Sequence, residues 1–267
     1  MQNFSLWALL PPAFSIFTAG GLWAVYFISL YNEIVTPLGV HRNSSLYPPF
    51  IRYSSSSCQS RNTSSSFFPA ALNVFPLSVA GNFPPGSCFF SATMNLAAFA
   101  GSVIGFLRYL QLKNRLCRPW LNVAGLAFFS IACFGMTIVG NFQLFALMKI
   151  HDSGTLMTFG MGTLYCWLQA YITLRVNLKG EGTKVAALRF LLAGLITLCL
   201  ILKFVFVTFS LVRAAQCHLA LVMSFLIYVG TFGIDFRHSH FDAVCTDEAE
   251  HPEESRTSVL EQELQQL

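Results

Sequence analysis

Apolar residues gather into six long runs along this chain, each broken off by turn-forming or charged positions. A helix rises about 1.5 Å per residue, so roughly 20 mainly apolar residues are needed to cross a hydrocarbon core of about 30 Å. The runs that meet this are Leu6–Tyr31, Cys88–Leu112, Trp120–Phe142, Thr155–Val176, Leu188–Val212 and Cys217–Phe236. Between them lie Pro84-Pro85-Gly86, the Lys113–Arg118 cluster, His151-Asp152-Ser153-Gly154 and Lys179-Gly180-Glu181-Gly182. The fourth run carries glycines and several threonines, and glycine is common in membrane helices. No positive segment precedes the first run, which is also too long for the core of a signal peptide, so it reads as a retained span. Pro11-Pro12 suits its entry, because proline lacks a backbone N–H. The expected fold is all-α: a polytopic six-helix transmembrane bundle over residues 1–236, then a largely unstructured tail over 237–267.

Composition agrees with this pattern. Hydrophobic residues make up 54% of the 267, aromatics 15% and charged residues only 10%, where soluble domains carry about 25%. A soluble enzyme, a nucleic-acid binder and a disordered chain are thereby set aside, and the lipid bilayer is the first partner. The net charge of +4 conceals an asymmetry. Residues 1–234 hold 14 Lys/Arg against 3 Asp/Glu, whereas residues 235–267 hold 2 against 9. A basic, apolar body thus ends in an acidic tail.

Loop charges predict orientation, because Lys and Arg concentrate on the cytoplasmic side. Arg108, Lys113, Arg115 and Arg118 are assigned to the second connection, and Arg175, Lys179, Lys184 and Arg189 to the fourth. Arg42, Arg52 and Arg61 are spread over the long first loop, about residues 32–87, with Lys149 and Arg213 also on that side. Both termini are therefore expected in the cytoplasm, with the first loop outside. That loop holds the glycosylation sequons at Asn43 and Asn62, which agrees. Its Ser-rich stretch Ser54–Ser66 buries too little apolar surface to fold alone.

Chemistry is sparse. The six histidines form no metal-binding helix motif, no phosphate loop or nucleophile elbow occurs, and no two carboxylates share a span. Catalysis is not expected, nor is a cofactor or metal. Cys58, Cys88 and Cys217 fall on the outer side, where a Cys88–Cys217 bridge, pairing through Cys58 and free thiols are all open. Cys245 is either a juxtamembrane palmitoylation site or a spare thiol. Leu260, Leu264 and Leu267 share one face of the tail, as a docking helix or a frayed end.

Polar positions inside the spans say more. Lys203 lies about ten residues from the outer end of the fifth run, either at a functional site or snorkelling outward. Ser91, Asn95, Ala98, Ser102 and Gly105 recur at helical spacing in the second run, and Thr155, Thr158, Gly162, Cys166, Gln169 and Thr173 in the fourth. Small and polar stripes bring membrane helices into close contact. The alternative is a water-lined path faced by Asn95, Ser102, Thr158 and Gln169.

Certain strings resemble a known family. Gly21-Leu22-Trp23-x-Val25-Tyr26, Pro84-Pro85-x-Ser87-Cys88-x-Phe90-Ser91, Met94-Asn95, Arg108-Tyr109-x-Gln111-Leu112 and Gly140-Asn141-Phe142-Gln143 resemble the transmembrane protein 150 family, part of the wider FRAG, DRAM and Sfk group. Phe134-Gly135-Met136-Thr137, Leu164-x-Cys166-Trp167-x-Gln169-Ala170 and Gly230-Thr231-Phe232 are similar to its C-type, tentonin-like branch. The segment Arg42–Ala71 looks like an insertion, and Lys203 stands where that branch has an uncharged aromatic. The resemblance implies a plasma-membrane protein, secondarily endosomal or lysosomal, that is a component or modulator of a mechanosensitive, non-selective, calcium-permeable cation channel with slow inactivation. Homo-oligomers or other channel subunits are the implied partners. Other branches imply a non-conducting scaffold for phosphoinositide-kinase recruitment or for autophagy.

Overall fold

The computed structural model describes residues 5–32, 76–176, 182–237 and 239. The sequons at Asn43 and Asn62, Cys58, Cys245 and the acidic tail beyond residue 240 lie outside the described residues. Among those described, every regular element is helical. A 3-10 turn (Leu6–Leu9) leads into α1 (Leu10–Tyr31), and α2 (Pro76–Ala80) precedes α3 (Gly86–Leu112) and α4 (Pro119–Asn141). Then come α5 (Met148–Leu156), a π turn (Met157–Met161) and α6 (Gly162–Val176), followed by α7 (Gly182–Val207), α8 (Leu211–Gly230) and α9 (Phe232–Phe236).

Among the described residues, five segments are long and apolar enough to cross a membrane: Leu6–Tyr31, Gly86–Leu112, Pro119–Asn141, Gly182–Val207 and Val212–Phe236. The remaining run is composite, because the π turn divides it after the polar stretch His151–Ser153. The fifth run begins six residues earlier than its apolar pattern suggests, at Gly182, and stops at Val207 rather than Val212. Arg189 did not end that helix because its charge is buried against partners within the bundle.

The chain doubles back so that Ser5 and Arg237 meet, the Ser5 N–H donating to the Arg237 carbonyl at 3.4 Å. This face is termed the terminus end; α2 and the 142–147 segment mark the opposite, loop end. There Ser29 Oγ donates to the Ala80 carbonyl at 2.7 Å, and the Phe145 N–H donates to Asn82 Oδ1 at 3.0 Å. The central core is built from α1, α3, α4, α6, α7, α8 and α9, and includes Phe14, Phe129, Tyr165, Ile196, Tyr228 and Phe232. Large apolar residues such as Phe17, Phe99, Leu191 and Phe204 point outward, as a lipid-facing surface requires.

Lipid gives helices little reason to leave it for one another, so close packing has to hold the bundle. One such close approach is between α4 and the α5–π segment. A Cβ on Gly135 would lie 2.7 Å from both the Gly154 carbonyl oxygen and the Thr158 nitrogen, backbone atoms that cannot swing aside. Gly135→Ala is therefore expected to destabilise the protein by about 1–3 kcal/mol. Gly194→Ala, where nothing lies within 4 Å of the added carbon, is expected to leave the thermal midpoint of nanodisc-embedded protein unchanged.

Candidate functional site

Three charges meet at the terminus end of the bundle. Arg108 comes from the last turn and a half of α3, Arg189 from the second turn of α7 and Asp235 from α9. The two arginine side chains are 1% and 0% exposed and the carboxylate 6%. Arg189 Nη2 donates to Asp235 Oδ2, and Arg108 Nη1 lies 3.4 Å from the same oxygen. An unpaired charge at such a place would cost several kcal/mol, so the remaining donors matter as much as the ion pairs.

Neighbouring helices supply the acceptors. Arg189 Nε donates to Thr231 Oγ1 at 3.0 Å, Nη2 to the Thr231 carbonyl at 3.2 Å and Nη1 to Thr173 Oγ1 at 2.6 Å. Arg108 Nε donates to Gln169 Oε1 at 3.1 Å and its Nη1 to Gln111 Oε1 at 2.6 Å. Its Nη2 reaches Thr173 Oγ1 at 3.4 Å. Thr173 in turn donates to the Gln169 carbonyl at 2.7 Å, so one hydroxyl on α6 serves both guanidinium groups. Phe232 lies against the two cations, its ring centroid 5.3 Å from the guanidinium carbon of Arg108 and 4.6 Å from that of Arg189. Cation–π attraction is strongest where water is excluded.

Gln111 extends the network to the end of the chain's helical part. Its Nε2 donates to the Asp235 carbonyl at 2.9 Å and to Ser239 Oγ at 2.6 Å. The site thus links α3, α6, α7 and α9 and holds the point where the acidic tail departs. Two cations and one carboxylate leave it one positive charge in excess.

Most of this was misassigned from the sequence. All three lie inside apolar runs drawn from the sequence, but the loop-charge argument counts Arg108 and Arg189 with the connections, and the charge division counts Asp235 with the acidic end; the structure buries them together within helices. A usable signal was present, since Asp235 lies inside the sixth apolar run, with an arginine near the same membrane face in the second and fifth.

The candidate path residues do not share one surface. Gln169 and Thr158 are buried, Gln169 held by Arg108 and Thr158 Oγ1 donating to the Gly154 carbonyl at 2.9 Å. Ser102 is exposed on α3, and Asn95 is half-buried in the seam between α3 and α4. Asn95 and Asn141 exchange amide hydrogen bonds at 3.0 Å in both directions, and Ser91 Oγ donates to Asn141 Oδ1 at 3.0 Å. Ser102 Oγ donates to the Ala98 carbonyl of its own helix at 2.8 Å. Cys88 and Cys217 are both free thiols and do not form the bridge considered above. Helix α1 packs on both α3 and α8, the helices that carry them. Lys203 is buried within the loop-end half, four residues before α7 ends, closer to that end than the sequence suggested. Among the described residues, no group of three or more His, Cys, Asp or Glu is placed to hold a metal ion.

Residues 6–239 match the N-terminal domain of the Frag1/DRAM/Sfk1/Cwh43P family. The chain is 29% identical over 234 residues to the modulator of macroautophagy TMEM150B of Xenopus tropicalis, covering 87% of each chain. It is 30% identical over 236 residues to TMEM150B of Danio rerio, covering 88% of each. Transmembrane protein 150A of Homo sapiens is 31% identical over 237 residues, 86% of this chain and 83% of that one. No solved structure matches.

Removing the shared carboxylate leaves two buried guanidinium groups facing each other. Asp235→Asn is expected to destabilise the bundle by about 3–5 kcal/mol, read as a loss of thermal stability in nanodiscs. Leu191→Ala on the lipid-facing side of α7 serves as the near-neutral control.

Proposed function

Because the chain belongs to the Frag1/DRAM/Sfk1/Cwh43P family, we propose that it is a multi-pass membrane modulator of macroautophagy that acts through partner proteins and conducts no ions by itself. The regulatory part of this reading is supported by relatives that are named modulators of macroautophagy. The non-conducting part is carried by one observation: the polar residues that could face a path are not in line, and the buried ones among them, Thr158, Gln169 and Thr173, are engaged by partners within the bundle. Gln169 and Thr173 are taken up by Arg108 and Arg189, and Tyr228 donates to the Cys166 carbonyl at 2.6 Å. A conducting route needs polar groups in line and available to an ion.

The composite segment Met148–Val176 is the sixth crossing in this reading. Six crossings return the chain to the side it started from, in keeping with the meeting of Ser5 and Arg237. The loop-charge bias then puts both termini, the charge cluster and the acidic tail in the cytoplasm. That tail is the natural contact for basic partner surfaces, a lipid-kinase complex among them. Endosomal or lysosomal membranes join the plasma membrane as sites of action.

A second reading, as a subunit of a mechanosensitive cation channel, draws on the Ser91–Asn95–Asn141 patch. These side chains lie in the seam between α3 and α4, with Asn141 exposed, where another subunit could share the polar seam with them.

Re-expression in cells that lack the protein separates the readings. The full chain is expected to change autophagic flux, measured as autophagosome-marker turnover with and without lysosomal inhibition. A chain ending at residue 240 is expected to lose that effect while keeping its membrane location. Purified protein in stretched bilayers is expected to stay silent. A stretch-activated cation current there, with flux unaltered in cells, would overturn the modulator reading in favour of the channel.

A further inference from the structure

The loop-end half of the bundle contains a second buried polar group, separate from the arginine–aspartate cluster. Lys203 of α7 and His218 of α8 are 4% and 6% exposed. Both face Phe159, which sits in the π turn between α5 and α6. The Lys203 ammonium is 5.7 Å from the centroid of that ring and 5.5 Å from that of Phe204. The His218 imidazole meets Phe159 edge-on, centroid to centroid at 5.3 Å. One aromatic ring is therefore in reach of both a lysine amine and a titratable imidazole.

We propose that His218, with Lys203 against the same Phe159 ring, forms a proton-binding site that loosens the α5–π segment when the loop-end compartment becomes acidic. A histidine reached by water takes up a proton in the range near pH 6.5, so acid favours the state in which the segment has opened and His218 is hydrated. With the segment closed, that proton adds a second positive charge around a ring already occupied by the Lys203 ammonium, in a place from which water is excluded. Like charges at such a separation repel more strongly than they would in water.

The other ionisable groups around the site do not remove this effect. From α5, His151 is close enough to act electrostatically on His218, and Asp152 on Lys203. His151 is itself occupied, its Nδ1 donating to the Phe142 carbonyl at 2.7 Å. Asp152 lies on the exposed side of α5, so its charge is shared with solvent. Arg213, a turn and a half before His218 on α8, adds further positive charge to the same end. Cys199 of α7 and Cys217 of α8 also lie close by, both uncharged as thiols. On the α1 side, no Asp, Glu, Lys, Arg or His occurs between Leu10 and Tyr31.

The element that carries Phe159 is suited to respond. A π turn already departs from regular helical hydrogen bonding, and such turns recur at functional positions. It packs on α4 where Gly135 meets Gly154, with the Ile138 side chain seated over Gly154 and Met157 beside Gly135. Moving Phe159 away from the two cations therefore shifts α5 and the π turn, while α6 stays anchored by Gln169 and Thr173 to the arginines at the far end.

The site does not depend on whether the protein is a modulator or a channel subunit, and its test uses neither activity. Hydrogen–deuterium exchange of the full chain in lipid nanodiscs is compared at pH 7.5 and pH 5.0, each corrected for the intrinsic exchange rate at that pH. Residues 148–162 are expected to exchange about tenfold faster at pH 5.0, as one linked proton permits, with residues 119–132 of α4 unchanged. His218→Gln is expected to abolish the acid response, and Lys203→Met to reduce it without changing the pH 7.5 pattern. Equal corrected exchange at both pH values in the unaltered chain would overturn the proposal. So would an acid response that persists undiminished in both variants. Should His218→Gln fail to fold, Lys203→Met decides alone.

Discussion

Two arginines sharing one aspartate set the arrangement of everything around them. Arg108, Arg189 and Asp235 come from three helices far apart in sequence, and each charge is tolerable in its buried position only because the other two are present. Their geometry fixes the depth of α3 against α7 and pins α9 below α8. Thr173 and Gln169 then place α6, because each is an acceptor that the guanidinium groups cannot do without. A buried ion pair is weak evidence for stability when compared with a well-packed apolar alternative. Its force lies in specificity: a shift of one helix by a turn would leave a charge unpaired in a region without water.

This constraint also orders the two ends of the bundle differently. The terminus end is tied by charge and hydrogen bonding, and Ser5 and Arg237 meet there. The loop end relies on glycine contacts, aromatic packing, a π turn and separate neutral hydrogen bonds such as Ser29 to Ala80 and Phe145 to Asn82, each of which yields at lower cost than a buried charge. A protein built this way keeps one face fixed and leaves the other free to respond. The fixed face is also the one from which the acidic tail departs, through Gln111 and Ser239, so a partner that engages the tail pulls on a rigid part of the molecule.

Much of the fold was legible in the sequence, because the requirement to cross a membrane writes itself into long apolar runs. Five of those runs correspond to long helices, and the composite one was recognisable as the most polar. The family was legible from short strings, among them Arg108-Tyr109-x-Gln111-Leu112, although the reason those residues recur together was not. Charges were the source of the errors. A rule that assigns Lys and Arg to loops works on averages and cannot see that a particular arginine has found a carboxylate inside the bundle. Helix spacing had a similar limit. It aligned Asn95 with Ser102 and Thr158 with Gln169 along their own helices, but not the rotation of each helix about its axis, which leaves Asn95 half-buried and Ser102 exposed and turns the second pair inward. Pairings of this kind are tertiary facts, set by which helices become neighbours.

The interaction between Asp235 and Arg189 can be isolated from the effects of losing either residue alone by a double-mutant cycle. Unfolding free energies in bicelles would be measured for the unaltered chain, Asp235→Leu, Arg189→Met and the combination. The account predicts a coupling energy of about 2–3 kcal/mol, with the double variant recovering part of what Asp235→Leu loses. A coupling energy near zero, with the two single losses simply adding, would contradict the claim that this shared charge organises the bundle.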